Sequence, residues 1–353
     1  MGLPIGKLPP GLLASVLERH RPIDSRLVLG PGIGLDCAVI EFGNRLLVAK
    51  SDPITFTAED IGWYAVHVNA NDVATTGAQP RWFLATLFLP ESCQPALVEA
   101  IFTQIADACR QVGASLVGGH SEITAGLDRP IIAGTMLGEV APERLITPRG
   151  ARPGDCLLLT KGVPVEGGTI LAREFAWRLE GVPEETLARA RDYLRQPGIS
   201  VVREALAAAE AGGVSAMHDP TEGGLAGGLW EMAEAAGVAI EVDLSAVPIL
   251  PEAGVLCQRL GLDPLATIAS GALLIAVRPE STSAVLAGVE RAGVTVREIG
   301  RFQEGTGVWV TPITTEAVLA MRSGTGRQPL PRPTRDALAS LFDTADRTNR
   351  EDV

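Results

Sequence analysis

Residues 57–80, TAEDIGWYAVHVNANDVATTGAQP, decide how the rest of the chain is read. Ile61, Ala65, Val68 and Asp72 recur at helical spacing, which predicts one helix with a carboxylate at the end of an apolar stripe. Thr57, with Asp60 three residues later, forms a variant of the capping box at its start. Gly77 supplies the C-terminal stop and Pro80 forbids continuation. Asn71 follows His67 by one turn, so a second polar row runs beside the first. An unpaired buried carboxylate is costly or gives up its charge. Asp72 therefore calls for a metal, a basic partner or a network of donors, and the donors include ordinary backbone N–H groups.

The chain has 353 residues, 46% hydrophobic, with mean hydropathy +0.21, enough for two ordinary domains with their own cores. No run approaches the roughly 18 unbroken apolar residues that span a bilayer, and MGLPIGKLPPG lacks the charged start and apolar core of a signal peptide. The expectation is a soluble, cytoplasmic protein with no membrane partner. Cys37, Cys93, Cys109, Cys156 and Cys257 are an odd, scattered set without CxxC spacing, so neither a disulfide framework nor a zinc site is indicated. Cys37, beside Asp36, makes a poor thiolate, because a nearby negative charge raises a thiol pKa. A net charge of −12 without a Lys/Arg cluster opposes binding to nucleic acid.

In order, residues 1–25 read as a Pro-rich arm with one short helical piece. Two strands around Cys37–Ile40 and Leu46–Ala49 read as a hairpin turned at Gly43-Asn44. After the central helix, RWFLATLFLP (81–90) is a strand and 93–113 an amphipathic helix stopped at Gly113. SLVGGHSEI (115–123) runs into a Gly-Gly corner carrying His120, Ser121 and Glu122, and a strand over 131–140 follows. This pattern predicts an α+β sheet with helices on one face. A Pro, Arg and Gly-rich crossing over 142–155 places a domain boundary near Gly150. Beyond it, strands and helices alternate, as in CLLLTKG, the helix after EGG, VSAMHDPTEGG and ALLIAV. The segments are thus 1–25, 26–149, 150–325 and a polar tail, 326–353.

Acids and glycines cluster at strand ends and turns, in GLD, KSDP, NANDV, GGHSE and HDPTEGG. A magnesium–nucleotide site needs such scattered acids beside glycine corners, whereas Asp-Pro and Gly-Gly taken singly are ordinary turn chemistry. GPGIG is neither a dinucleotide fingerprint nor a Walker loop, no GxSxG elbow occurs, and no short spacing links His67, His120 and His218 into a metal set.

GLDCAVI (34–40), SDPITFT (51–57), DIGWYAVHVNANDVATTGAQPRW (60–82), GGHSEI (118–123), GARPGDCLLLTKG (150–162), DPTEGGLAGGLWEMAE (219–234) and LGLDPLATIASGALLIAV (260–277) together resemble the AIR synthase superfamily. The nearest likeness is to its HypE-like hydrogenase maturation branch, in collinear order over about residues 25–310. The resemblance implies a two-domain α+β fold: an N-terminal sheet domain that dimerises, then an α/β domain, with ATP and Mg2+ in a cleft involving the dimer. It implies Asp36, Asp52 and Asp72 as metal ligands. Asn71, Gly118, Gly119, His120, Thr221, Gly223 and Gly224 join Asp36 and Asp52 around the nucleotide, and Asp72, Asp219 and Glu122 are the catalytic group. Leu35 replaces an acid of the family's GDDA motif, and Glu222 stands where its DPTRGG turn has Arg. The implied activity is ATP-driven phosphoryl activation of a carbonyl or amide-type acceptor, small-molecule or protein-borne, by a cytoplasmic homodimer. HypE itself uses a C-terminal cysteine, whereas the last cysteine here is Cys257. A nucleotide-binding dimer that assembles or regulates without turnover is the alternative.

Overall fold

A computed structural model describes residues 8–20, 22–32, 34–55, 57–311 and 326–341. Its first half runs α1 (Pro10–Arg19), β1 (Leu27–Leu29), β2 (Ala38–Phe42), β3 (Arg45–Ile54), α2 (Ile61–Thr75), β4 (Gln79–Leu89), α3 (Pro95–Val112), β5 (Ser115–Ile123) and β6 (Ile131–Val140). The six strands form one sheet in the order β1-β2-β3-β6-β4-β5. Phe42 opposite Arg45 leaves the two-residue turn Gly43-Asn44 that the sequence predicts.

On one face of this sheet, Leu46 and Val48 of β3 and Phe83 and Leu87 of β4 are buried beneath α2 and α3. The other face is half open, which is why β6 alternates strictly between buried and partly exposed residues. Helix α2 carries no free stripe. All fifteen of its residues are buried, because it lies between this sheet, α3 and the second half of the chain.

Its start departs from the predicted capping box. The helix begins at Ile61, not Thr57, behind an Asp60 held at φ 55° without a side-chain cap bond. Asp60 is taken instead by two cations from the second half, Arg173 Nη1 at 2.9 Å and Arg195 Nη2 at 3.0 Å. Tertiary charge pairing overrides the local cap. The Gly-Gly corner is also corrected: β5 passes through Gly118 and Gly119 as one continuous edge strand, exposed along its length. Gly119, at φ 145°, is needed because a Cβ there would lie 1.9 Å from the Ala85 carbonyl oxygen.

The second half contributes β7 (Cys156–Thr160), α4 (Val165–Glu174), α5 (Glu184–Asp192), α6 (Val202–Ala211), β8 (Val214–His218), α7 (Gly224–Ala236), β9 (Ala239–Asp243), α8 (Pro251–Leu260), β10 (Leu274–Val277), α9 (Thr282–Arg291), β11 (Val296–Gln303), β12 (Gly307–Thr311) and β13 (Gln328–Pro329). The sheet order is β13-β12-β9-β11-β7-β10-β8, and among the described strands of this sheet only β9 and β12 pair in parallel. From the predicted tail, residues 326–341 strap this half: Leu330 accepts a bond from Trp230 Nε1 at 3.0 Å, and Leu338 and Leu341 are buried in a cluster with α4 and α8. The remainder, 342–353, lies outside the described residues. No described helix is long and apolar enough to cross a membrane.

Candidate active site

Alternation along β3 puts Leu46, Val48, Lys50 and Asp52 on the face beneath α2, so Lys50 enters the same space as Asp72. Its Nζ lies 2.7 Å from Asp72 Oδ2, 3.4 Å from Asp52 Oδ2 and 4.0 Å from Asp36 Oδ1. Burial works against the ammonium, but Asp72, Asp36 and Asp52 outweigh it and hold the Lys50 pKa above its ordinary value. Of the three ways to satisfy Asp72, the structure takes the basic partner. The sequence reading missed Lys50, whose signal was its placement two residues before Asp52 in an alternating strand.

The second half closes this cluster with the end of β8. His218 is buried, with Nε2 2.8 Å from Glu231 Oε2 and Nδ1 3.5 Å from Asp36 Oδ2. Burial opposes a charged ring, yet the bonds to Asp36 and Glu231 raise its pKa well above the ordinary value, so His218 is an imidazolium. Next to it Asp219 is 1% exposed, and neither of its oxygens receives a hydrogen bond from a donor. Burial first, then the charge of Asp72, push its pKa well above the ordinary carboxylate value. Side chains from Glu231 through His218, Asp36, Lys50 and Asp72 to Asp219 thus form one charged run across the join of the halves. Cys37 lies against it and is no nucleophile: burial, then Asp72, raise its thiol pKa well above normal.

Other expected residues lie elsewhere. Asn71 is fully buried with both ends of its amide engaged by the second half, Nδ2 donating to Ile199 O and Oδ1 accepting from Val201 N, each at 2.8 Å. Its placement is that of a tie between the halves rather than a ligand, which corrects the expectation. His120 and Glu122 pair in register with Thr86 and Phe88, on the half-open face and opposite Lys50 and Asp72. The two side chains meet each other at 3.2 Å. Gly118 and Gly119 share that edge strand, so within one chain none of these four joins the acids. Gly119 shares a cross-strand row with Asp52, but β6 and β4 stand between them.

Thr221, Gly223 and Gly224 do form a tight turn beside Asp219, with Gly224 packed on the Thr267 and Leu265 carbonyls. The Gly223 N–H, expected to face a nucleotide, donates to Asp336 Oδ2 at 2.7 Å. Burial pushes the Asp336 carboxyl up to about 6 despite that bond. Glu166 was also missed: it is buried at the start of α4, with one oxygen unpartnered, and burial raises its pKa to about 8.

A magnesium ion would need open oxygens in octahedral array. The expected set Asp36, Asp52 and Asp72 does not offer one, because its carboxylates already converge on an ammonium. Among the described residues, no group of three or more His, Cys, Asp or Glu is arranged to hold a metal.

Residues 34–140 match the N-terminal domain, and residues 152–311 the C-terminal domain, of AIR synthase related proteins. Carbamoyl dehydratase HypE of Cupriavidus necator is 32% identical over 270 residues, 74% of each chain. Selenide, water dikinase of Aeromonas hydrophila is 29% identical over 333 residues, covering 85% of this chain and 93% of its own. Among solved structures, hydrogenase maturation protein HypE in complex with ATP superposes with TM-score 0.69 at 23% identity, covering 91% of this chain and 90% of that one. At that identity the likeness is one of fold.

Proposed function

The chain belongs to the AIR synthase-related family, and on that premise we propose that it is an ATP-using enzyme that activates a carbonyl or amide-type oxygen of its acceptor by phosphoryl transfer. The observation that carries the reading is the charged run from Glu231 to Asp219, built from both halves of the chain. Phosphoryl transfer asks a protein mainly for positioning and charge neutralisation. Lys50 and His218 are the cations of that run, while burial favours the protonated form of Asp219, a carboxyl placed to give a proton in such chemistry. A magnesium ion held by Asp36, Asp52 and Asp72 has no step in this scheme, since Lys50 engages them.

Gly118, Gly119, His120 and Glu122 enter only if a second copy brings them. The half-open sheet face and its edge, with Trp82 40%, Val117 53% and Ile123 59% exposed, support a homodimer formed there. Hydrogenase maturation is the setting suggested by relatives named as hydrogenase expression and formation proteins. Cys37, Cys109, Cys156 and Cys257 are buried, so none of these four presents a thiol as carrier, and Cys93 is the one cysteine that is not buried.

Thermal unfolding with ATP, with and without Mg2+, followed by phosphate release on the same sample, tests the proposal. Ligand at about 100 times its Kd adds about 2.7 kcal/mol, which is visible as a shift in Tm. A shift with release supports the enzyme, and no shift refutes the nucleotide site. A shift without release favours a non-catalytic nucleotide-binding dimer, the reading that Glu222 in the turn and the carboxylate of Asp336 on Gly223 support.

A further inference from the structure

Three carboxylates reach Lys50 from three separate segments: Asp36 from the approach to β2, Asp52 from β3 itself and Asp72 from α2. An ammonium has three N–H donors and no acceptor, so it matches three acids in number as well as in sign. The cluster is graded in exposure. The Asp72 side chain is 5% exposed and Lys50 11%, whereas Asp36 and Asp52 are 33% and 40% exposed and form the mouth. The ammonium is therefore at the bottom of the acid set, against its most buried member, where a cation is needed to offset the cost of burying Asp72. The neighbouring residue points the same way. Leu35, beside Asp36, adds a side chain that can ligate nothing.

We propose that Lys50 is the resident cation of this site, its ammonium standing where the three acids would otherwise bind a divalent ion. The acids orient the lysine, and the lysine presents its charge to the mouth between Asp36 and Asp52. That the group facing it there is the phosphate of a nucleotide rests on the function proposed above. The pairing of Lys50 with the acids does not.

Mn2+ alone, followed by electron paramagnetic resonance and calorimetry on the nucleotide-free protein, tests the assignment. Wild-type protein is expected to show no Mn2+ binding that Asp52→Asn or Asp36→Asn removes. Any binding that survives both substitutions lies elsewhere and agrees with the proposal. Lys50→Ser is expected to gain one Mn2+ with affinity at least about tenfold above wild type, the scale on which changes around a metal act, and to lose it in Lys50→Ser/Asp72→Asn. If Lys50→Ser folds only when Mn2+ is added, that too supports an exchange of one cation for another. Wild-type Mn2+ binding that falls about tenfold or more in Asp52→Asn would overturn the proposal, as would a folded Lys50→Ser that gains none. Should Lys50→Ser fail to fold with or without Mn2+, the two wild-type acid variants still decide. Absence of ATP binding by the wild-type protein, measured by calorimetry on the same preparation, would sink the nucleotide assignment without touching these results.

Discussion

Asn71→Ala separates a tie between the two halves from a ligand, and its size follows from the two bonds Asn71 makes. Both are 2.8 Å and both end on backbone of residues 199–201, which Lys161 Nζ also holds through Gly198 O at 3.1 Å and Ser200 O at 2.6 Å. Truncation leaves the Ile199 carbonyl and the Val201 N–H unpaired where no solvent reaches Asn71. An unsatisfied buried group costs about 1–3 kcal/mol, so the pair should cost about 2–6 kcal/mol. At about 2–4 °C per kcal/mol this is a fall in Tm on the order of 4–24 °C. Asn71→Asp should be worse than its shape suggests, since it keeps the acceptor for Val201 but sets a carboxylate against the Ile199 carbonyl. Scanning calorimetry or urea unfolding gives the stability, and calorimetric titration gives the ATP affinity of the folded variant, which should stay within about tenfold, or about 1.4 kcal/mol, of wild type. A variant as stable as wild type that loses ATP binding would refute the reasoning and return Asn71 to the ligand role its sequence position suggests.

Three further outcomes are expected. Glu166 has a folded pKa of about 8 against an ordinary 4.5, so its contribution to stability is complete below pH 4.5 and is lost as pH rises through 8. A gap of about 3.5 in pH corresponds to at most about 5 kcal/mol. Glu166→Gln should therefore flatten the fall in urea midpoint between pH 5 and pH 9, and an unchanged slope would show that Glu166 is not the group responsible. Gly119→Ala should break the β4–β5 pairing through its contact with the Ala85 carbonyl, costing more than about 3 kcal/mol, whereas Gly126→Ala, at φ 78° in open space, should cost only about 1 kcal/mol; equal losses in thermal unfolding would contradict the close approach. Native thiol titration should label Cys93 alone at speed, because the other four cysteines are buried; rapid reaction of Cys37 would contradict the raised thiol pKa beside Asp72.

What could be read in the chain before folding was local. The hairpin at Gly43-Asn44 and the end of α3 at Gly113, with φ 73°, each depend on a few adjacent residues, so short patterns suffice. The start of α2 was misread because Thr57 and Asp60 have the right types for a cap, and only the fold brings Arg173 and Arg195 from more than a hundred residues away to claim Asp60. The same limit applies at the site. In one dimension Asp36, Asp52 and Asp72 look alike whether they gather round a metal or an ammonium, since acids converge on either cation for the same electrostatic reason.

The residue that distinguishes the two cations was visible. Lys50 shares the inward face of its strand with Val48 and Asp52, and a lysine at an inward position of a strand must find carboxylates. A buried acid and a buried base in one α/β contact limit each other's options. Asp72 needed a positive partner, Lys50 needed negative ones, and pairing them satisfies both without any group from outside the chain. Asn71 admits no such inference, because a buried amide can be satisfied by ligand, side chain or backbone alike, and only the arrival of residues 199–201 decides among them.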